Sequence, residues 1–545
     1  MAKYALGLDY GTNSCRALVV DVETGNEVAM AVFDYPSGEA GVLLDPDDPH
    51  LARQAPSDYI KGFVAVTKEV GKKVDLKDIV GLGFDTTGSS PMPVAADCSS
   101  LADAPEFKDE LAANCWLWKD HTGYAEAAEI TRKATEQKLP YLAKCGGTYS
   151  SEWFWSKMLK CLRVAPKVFE AAASWVEICD WIPAMVCGIT DPKAIKRSRC
   201  AAGHKAMFEE AWGGLPSEAF LASLDPRLAK VRSKLYDTVE TSDQLAGHVS
   251  ARFASETGLK EGIPVAVGAF DAHFGAVASG ASPGALVKIV GTSTCDCMVH
   301  PLADPLPDVP GMCGIVRGSI LPGFYGLEAG QSAVGDIFNW VSKLTGHSHE
   351  ELTKEADQIK PGQSGLLMLD WLNGNRTILV DPLLTGLVVG LTLHTRPAEV
   401  YRASIEATAF GALRIIERME EYGVKVERVV ACGGIADKSA LTMQIYADVF
   451  DRPVYIARSD QTCALGSAIF ASVVAGEYPD ALTAQKKMGG LRDVSYQPDK
   501  GRAETYAKLY ALYKDLHDQF GTICSADNLG RVMKSLISIR EDVVG

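Results

Sequence analysis

Apolar residues run from Ala5 to Leu8, stop at Asp9 and a Gly-Thr turn, and resume from Cys15 to Val20. Short apolar runs bounded by turn residues read as buried strands, here over about 4–10 and 15–21. The period then lengthens to that of an amphipathic helix in "PSDYIKGFVAVTKEVGKKV" and returns to a strand in "IVGLGFDTT". From about 108 to 262 the pattern is mainly helical, with aromatic-rich segments such as "SEWFWSKMLKCLRVAPKVFEAAASWV". "GIPVAVGAFDAHFGAVASGAS" reads strand, turn, helix. It ends on a Gly/Ser/Pro cluster that sets a domain boundary near Ser282, giving units of 1–282 and 283–545.

The second unit opens as the first does. "GALVKIVGTSTCDCMV" is strand, turn, strand, and Gly291–Val299 aligns with Gly11–Val19 so that Gly, Thr, Cys and Val coincide. This points to two related lobes, each starting with a Gly-Thr-tipped hairpin. A helix follows at about 329–345, then an amphipathic helix in "RPAEVYRASIEATAFGALRIIERMEEYG". The pattern continues with a strand "RVVACGG", a helix "KSALTMQIYADVF", a short strand "PVYIA" and a helix from "CALGSAIFASVVAG".

Composition narrows the partners. At 545 residues one core is not enough, and 47% hydrophobic with 23% charged residues is a soluble globular balance. A formal charge of −15 argues against nucleic acid and anionic membranes, so a phosphate site must be built locally from amides, a metal ion or a few cations. No apolar stretch nears the ~20 residues of a membrane span, and the apolar start is too short for a signal peptide. The fourteen cysteines lack paired spacing and read as reduced, mostly buried thiols of a cytoplasmic protein. Cys295-x-Cys297 has no second pair beside it and reads as one face of a strand.

Four places carry candidate chemistry. The two hairpin tips suit phosphate, because glycine lets amides approach closely and small hydroxyls donate without crowding; the alternative is two ordinary β-turns. Asp9, just before Gly11, is a candidate magnesium carboxylate. Gly433-Gly434, delivered by an apolar strand into a helix start, offers a flat surface for a base or ribose, or simply a capped helix. Asp271 follows a buried strand and precedes a helix, which fits an N-cap or a general base for a hydroxyl proton. A P-loop and a G-x-G-x-x-G fingerprint are both missing.

These parts, in this order, resemble the FGGY carbohydrate kinases of the actin-like ATPase superfamily, over nearly the whole chain. The carrying segments are "GLDYGTNSCRALVVD", "VKIVGTSTCDCMV", "VVACGGIADKSAL" and the C-terminal signature "GLVVGLTLHTRPAEVYRASIE". Within the family, "SSEWFWSKMLKCLR", "RSRCAAGHKAMF", "FDAHFGAV", "GLEAGQSAVGDIFNW" and "LDWLNGNRTILVDPLLTGLVVG" are similar to the members that phosphorylate ribulose. Two positions depart from the family pattern. Lys160 stands where an aromatic residue usually follows Lys157, and Asp437-Lys438 stand where relatives often carry Asn.

The resemblance implies two ribonuclease H-like lobes around a cleft, and transfer of phosphate from Mg-ATP to the 5-hydroxyl of ribulose, with L-ribulose favoured. Another pentulose or a pentitol, such as xylulose or ribitol, is the alternative acceptor. It implies Asp271 as base, Asp9 at Mg2+, and Gly11, Thr12, Ser14, Gly291 and Thr292 at the phosphates. Gly433 and Gly434 would face adenosine, with Gly330 close by. Candidate sugar contacts are Thr87, Trp118, Asp120, Lys205 and Glu328. Lys205 and Glu328 have a plainer reading as solvated loop charges and Trp118 as core packing, and His121, His204 and His273 read as structural. A homodimer is the family's common state. A chaperone built on the same lobes would leave Asp271 unexplained, and a regulator without catalysis should lack Asp9 or Asp271, yet both are present.

Overall fold

The computed structural model describes residues 2–521 and 529–544. Two seven-stranded sheets organise it, and both repeat one order of strands. In the first, Tyr4–Tyr10 and Ser14–Asp21 form an antiparallel hairpin extended by Glu27–Asp34. After the helix Pro56–Val70, the strand Ile79–Thr86 lies parallel on the other side of Tyr4–Tyr10. Pro264–Ala266 and Ala269–Phe270 then pair in parallel with Ile79–Thr86.

In the second sheet, Ala285–Val290 and Thr294–Pro301 form the hairpin, and Phe324–Ala329 extends it. Arg428–Cys432 lies parallel on the opposite side, followed by Val454–Ala457 and Leu491–Tyr496. This is the two-lobed α/β arrangement that the matching Gly-Thr turns predict. The aromatic-rich stretch after residue 108 packs its own core around Trp116, Trp155 and Trp175. Among the described residues, no helix is long and apolar enough to cross a membrane.

Two elements differ from the sequence reading. "FYGLEA" is a strand, and the following helix starts at Gly335 instead of about 329. Packing decides this: a Cβ at Gly326 would sit 2.2 Å from Ser319 Oγ, and one at Gly330 2.2 Å from Thr294 O. The segment is wedged between two strands where a helix has no room. After Gly433 the chain forms only a short helix, Gly434–Lys438. Ser439 then caps a separate one, Ala440–Phe450, by accepting from Thr442 N.

The helix Thr462–Val474 belongs to the second half of the chain but lies on the first sheet. A Cβ built on Gly7, Gly81 or Gly83 would come within 1.8 Å of Ala464 O, 2.2 Å of Ala471 O and 2.0 Å of Ser467 O, respectively. Three glycines on two neighbouring strands thus face small residues spaced at three and four along one helix face, and backbone packs against backbone. Gly466 of the same helix presses on Phe274 O of the helix Asp271–Ala278.

We expect Gly83→Ala to force this interface apart at a cost of about 1–3 kcal/mol, read as a lower urea midpoint. Gly501→Ala, whose new Cβ meets only Asp499 Oδ1 at 3.5 Å, should stay within ~0.5 kcal/mol of the parent. Equal midpoints for the two variants would mean the close packing does not limit stability.

Candidate functional site

Three parallel strands of the first sheet end at one level, the place where ligands gather in open α/β sheets. Asp9 is paired in register with Asp85, and Asp85 with Ala269, so Asp271 stands just beyond the same edge. Arg16 Nη1 donates to Asp9 Oδ2 at 3.1 Å. Ser467 Oγ donates to Asp85 Oδ2 at 2.7 Å, while the fully buried Asp85 Oδ1 has no hydrogen-bond partner. Ala272 N donates to Asp271 Oδ1 at 2.6 Å, but Asp271 is the first residue of its helix and the N-cap is Phe270, so Asp271 does not hold the capping position that the sequence suggested.

Crowding of these carboxyls away from water makes them basic. Burial raises Asp9 although Arg16 opposes it. Burial and the neighbouring Asp9 push Asp85 well above the ordinary carboxylate value. The same two causes bring Asp271 to about 7. Sequence reasoning singled out Asp9 and Asp271 and passed over Asp85. The signal was there: an acid at the end of an apolar strand, followed by Thr-Thr-Gly.

The first hairpin tip is closed by Gly11 N donating to Ser14 O at 3.0 Å. Thr12 Oγ1 accepts from Trp118 Nε1 at 3.0 Å, and Ser14 begins the second strand, buried. In the second hairpin, the carbonyls of Gly291 and Thr292 accept amides from Gly335 and Val334 at 3.1 and 2.9 Å, which docks the tip on the start of the helix Gly335–Thr345. Gly433 has φ +94° and its absent side chain faces Val290 O, so only glycine passes the strand end at this height. Gly434 faces open space. Gly330 lies against the second hairpin and donates its amide to Thr377 Oγ1 at 3.2 Å.

Lys205 and Glu328 meet across 123 positions of sequence. Lys205 Nζ donates to Glu328 Oε1 at 2.7 Å, with both side chains buried. Burial raises the Glu328 carboxyl, but the Lys205 ammonium outweighs this and holds it well below the ordinary value. Glu328 Oε2 has no hydrogen-bond partner and lies 3.4 Å from His204 Nδ1 and 3.5 Å from His273 Nε2. Thr87 is tied by its amide to Tyr10 O at 3.0 Å and by its hydroxyl to Ser90 at 3.2 Å.

Trp118 is half-buried, anchored by its bond to Thr12. Asp120 is fully buried, and both its oxygens already accept: Oδ2 from Ala52 N at 2.8 Å, Oδ1 from the Thr122 hydroxyl at 2.6 Å, with Arg53 as its ion-pair partner. Asp120 therefore stitches the Trp118 segment to the strand Asp48–Gln54.

Beneath the turn after Thr87 lies a pair that sequence reasoning missed. Lys157 Nζ donates to the carbonyls of Ser89 and Leu117, both at 2.7 Å, and Glu177 accepts from Ser90 N at 2.6 Å and from the Ser89 hydroxyl. Burial lowers Lys157 to about 7 and raises Glu177 to about 7. Only contacts far apart in sequence could have revealed this brace. Arg376 was missed too. Burial works against its charge, but Glu152, Cys313, Cys295 and Glu328 hold the guanidinium more basic than usual. Asp9, Asp271, Lys205 and Glu328 are thus brought into one electrostatic neighbourhood, with Thr87 at the same strand ends. Gly433 and Gly434 line the neighbouring end of the second sheet.

Two family models cover most of the chain: the FGGY family of carbohydrate kinases, N-terminal domain, over residues 4–278, and its C-terminal domain over 286–475. A protein named ribulokinase from Vibrio parahaemolyticus is 41% identical over 541 residues, covering 94% of this chain and 95% of the relative. Another ribulokinase, from Shouchella clausii, is 40% identical over 574 residues, covering 100% and 99%. The crystal structure of xylulose kinase from Rhodospirillum rubrum superimposes with a TM-score of 0.78 at 23% identity, over 94% of this chain and 98% of that one, and shares the fold. The chain belongs to the FGGY family of carbohydrate kinases.

Proposed function

We propose that this protein transfers the γ-phosphoryl group of Mg-ATP to the 5-hydroxyl of ribulose, L-ribulose in first place, as a cytoplasmic step of arabinose catabolism. The observation that carries the chemistry is Asp271, a carboxyl with a pKa of about 7 at the end of three parallel strands, beside a buried Lys205–Glu328 pair. The ribulokinase names of relatives about 40% identical over nearly the full chain support the substrate. In this reading residues 1–282 hold the sugar and the first phosphate hairpin, and 283–545 hold adenosine and the second. The thiols described are all free, in keeping with a reducing compartment. A homodimer is the proposed assembly.

Asp271 takes the proton of the 5-hydroxyl as that oxygen bonds to the γ-phosphorus and the bond to the bridging oxygen of ADP breaks. A carboxyl titrating near neutrality is a stronger base than an ordinary aspartate and is still largely ionised at pH 7.5 or above. The Lys205 ammonium donates to sugar hydroxyls and Glu328 accepts from them, which fixes the 5-hydroxyl relative to Asp271. Thr87 adds a hydroxyl, and Trp118 a half-buried aromatic face. The hairpin tips at Gly11, Thr12 and Ser14 and at Gly291 and Thr292 receive phosphate oxygens, with the Gly11 and Gly291 amides themselves closing the turns, while Gly433, Gly434 and Gly330 leave room for adenosine.

The residues fit the Mg2+ that the family implies. Asp9 offers a hard carboxylate donor, and the buried Asp85 carboxyl beside it, close enough to share a proton with Asp9, is a second oxygen group that a cation would stabilise in its ionised form. Bound there, the ion would neutralise phosphate charge and bring the triphosphate to the strand ends.

In a coupled ADP-release assay, L-ribulose should give the highest kcat/KM among pentuloses and pentitols. Asp271→Asn should lower kcat by about 10²–10⁴-fold with ATP affinity within twofold. If ribitol or xylulose wins, the substrate falls; if no polyol stimulates ADP release, the kinase reading itself falls.

The pH dependence follows from the sign of the Asp271 shift. The ionised form is active, so kcat/KM should rise with pH along a limb centred at about 7 and be lost below it. For stability the sign reverses. A folded pKa raised above the ordinary 3.8 means that ionising this group opposes folding. Asp271→Asn should therefore unfold at higher urea than the parent, with a gain that grows from pH 4 to pH 7 and then levels. A flat difference across that range would deny the raised pKa.

A further inference from the structure

Behind the Lys205–Glu328 pair lies a cluster of donor atoms that the phosphoryl transfer does not use. Cys200, His204 and His273 each offer one ligand atom, and these lie within 4.8 Å of one another, all three residues being buried. Cys200 and His204 sit four apart on the helix Arg199–Lys205, so they share a face, and His273 comes from the helix that Asp271 begins. The two imidazole rings are 4.6 Å apart, centre to centre.

The atoms facing inward lack partners. His204 Nδ1, His273 Nδ1, His273 Nε2 and Glu328 Oε2 are all buried without a hydrogen bond, in residues no more than 6% exposed. Leaving polar atoms buried without partners is costly, and a cation held by one nitrogen of each imidazole would relieve one such atom on each ring. His204 is oriented by its other nitrogen, 2.9 Å from Ser319 Oγ. It is also pressed against Gly314, where a Cβ would come 1.9 Å from Nδ1.

One thiol and two imidazoles within 4.8 Å of one another can converge on a single ion. This donor set selects zinc-like cations over Mg2+, which prefers oxygen ligands and keeps its water. Glu328 Oε2 lies beside the set, 3.4 Å from His204 Nδ1 and 3.5 Å from His273 Nε2.

We propose that Cys200, His204 and His273 form a three-ligand site, with a fourth position open, for a borderline divalent cation of the Zn2+ type at the back of the candidate sugar pocket. Binding forms the metal–sulfur bond as the Cys200 thiol gives its proton to solvent. Because Glu328 Oε2 lies against both imidazoles, the positive charge of the ion draws on the carboxylate that would accept from the sugar, so metal and sugar oppose each other's binding by the same factor; this second statement rests on the sugar-kinase reading, and the first does not.

The test uses the full chain, stripped with chelator, kept reduced with a non-chelating phosphine and free of nucleotide and sugar. Titration with Co2+ should give one equivalent of tetrahedral absorption with a thiolate-to-cobalt charge-transfer band, displaced by Zn2+ and unaffected by millimolar Mg2+. Cys200→Ser should lose the charge-transfer band and bind Zn2+ at least tenfold more weakly, while phosphorylating at the parental rate without added zinc. In the parent, but not in Cys200→Ser, Zn2+ should raise the KM for sugar at constant kcat, and ribulose should weaken Co2+ binding. A spectrum without the charge-transfer band, or one unchanged in Cys200→Ser, overturns the site. A normal cobalt spectrum in a protein that phosphorylates no polyol would keep the site and discard the kinase reading.

Discussion

The close seat of the helix Thr462–Val474 on the first sheet is the constraint from which the rest of the cleft follows. Gly7, Gly81 and Gly83 let the helix backbone approach so far that Ser467 reaches Asp85 with a 2.7 Å hydrogen bond. That bond fixes one oxygen of Asp85 and leaves the other free between Asp9 and the strand that leads to Asp271. The helix comes from the second half of the chain and the sheet from the first, so the same contact that joins the halves also sets the row of carboxylates. Any side chain larger than hydrogen at these glycines would lift the helix and with it the Ser467 hydroxyl. Stability and site geometry therefore share one interface.

Charge makes the row expensive and useful at once. Burial raises all three carboxyls, and the charge of Asp9 adds to it at Asp85 and Asp271, whereas Arg16 and a hydrogen bond with Asp85 oppose it at Asp9 itself. Nearby cations are partly committed: Arg16 to Asp9 and Lys205 to Glu328. In a chain of net charge −15, the triphosphate of the proposed function would depend on local amides and a divalent ion more than on the overall charge of the chain. The structure thus ties the basicity of Asp271 to the occupancy of its neighbourhood, since each cation bound beside Asp9 weakens one of the two causes of the raised pKa.

Much of this was legible in the sequence, and the limits have physical reasons. Both hairpins, the strand Ile79–Thr86, the helices Pro56–Val70, Pro397–Glu421 and Thr462–Val474, and the doubling of the fold follow from local period and turn residues. Asp9 and Asp271 were visible as acids ending apolar strands. Asp85 obeys the same rule, yet only register pairing shows that it joins them. The strand Phe324–Ala329 was hidden because its state is decided by neighbours on both edges. The Gly7–Gly81–Gly83 seat and the Lys157–Glu177 brace span hundreds and tens of residues respectively, and periodicity carries no information at such range. Asp120 stood among the candidate sugar contacts, but its Arg53 partner comes from a strand far upstream.

The candidate sugar pocket joins a fixed part to a shared one. Lys157, with its carbonyl partners, and Glu177, with Ser89 and Ser90, lock the turn after Thr87 from below, and Asp120 locks the Trp118 segment from the side. Fully bonded buried networks of this kind leave little freedom to adjust. The Lys205–Glu328 pair is different, because Lys205 stands on a helix of the first half and Glu328 on a strand of the second. Each alone would be a buried, uncompensated charge, which is strongly unfavourable. The pair therefore forms only when the halves are apposed, and a ligand that binds both charges adds to the free energy holding the halves together. On the proposed function, a sugar held by this pair would therefore bind residues of both halves at once, with Asp271 at the edge of the contact.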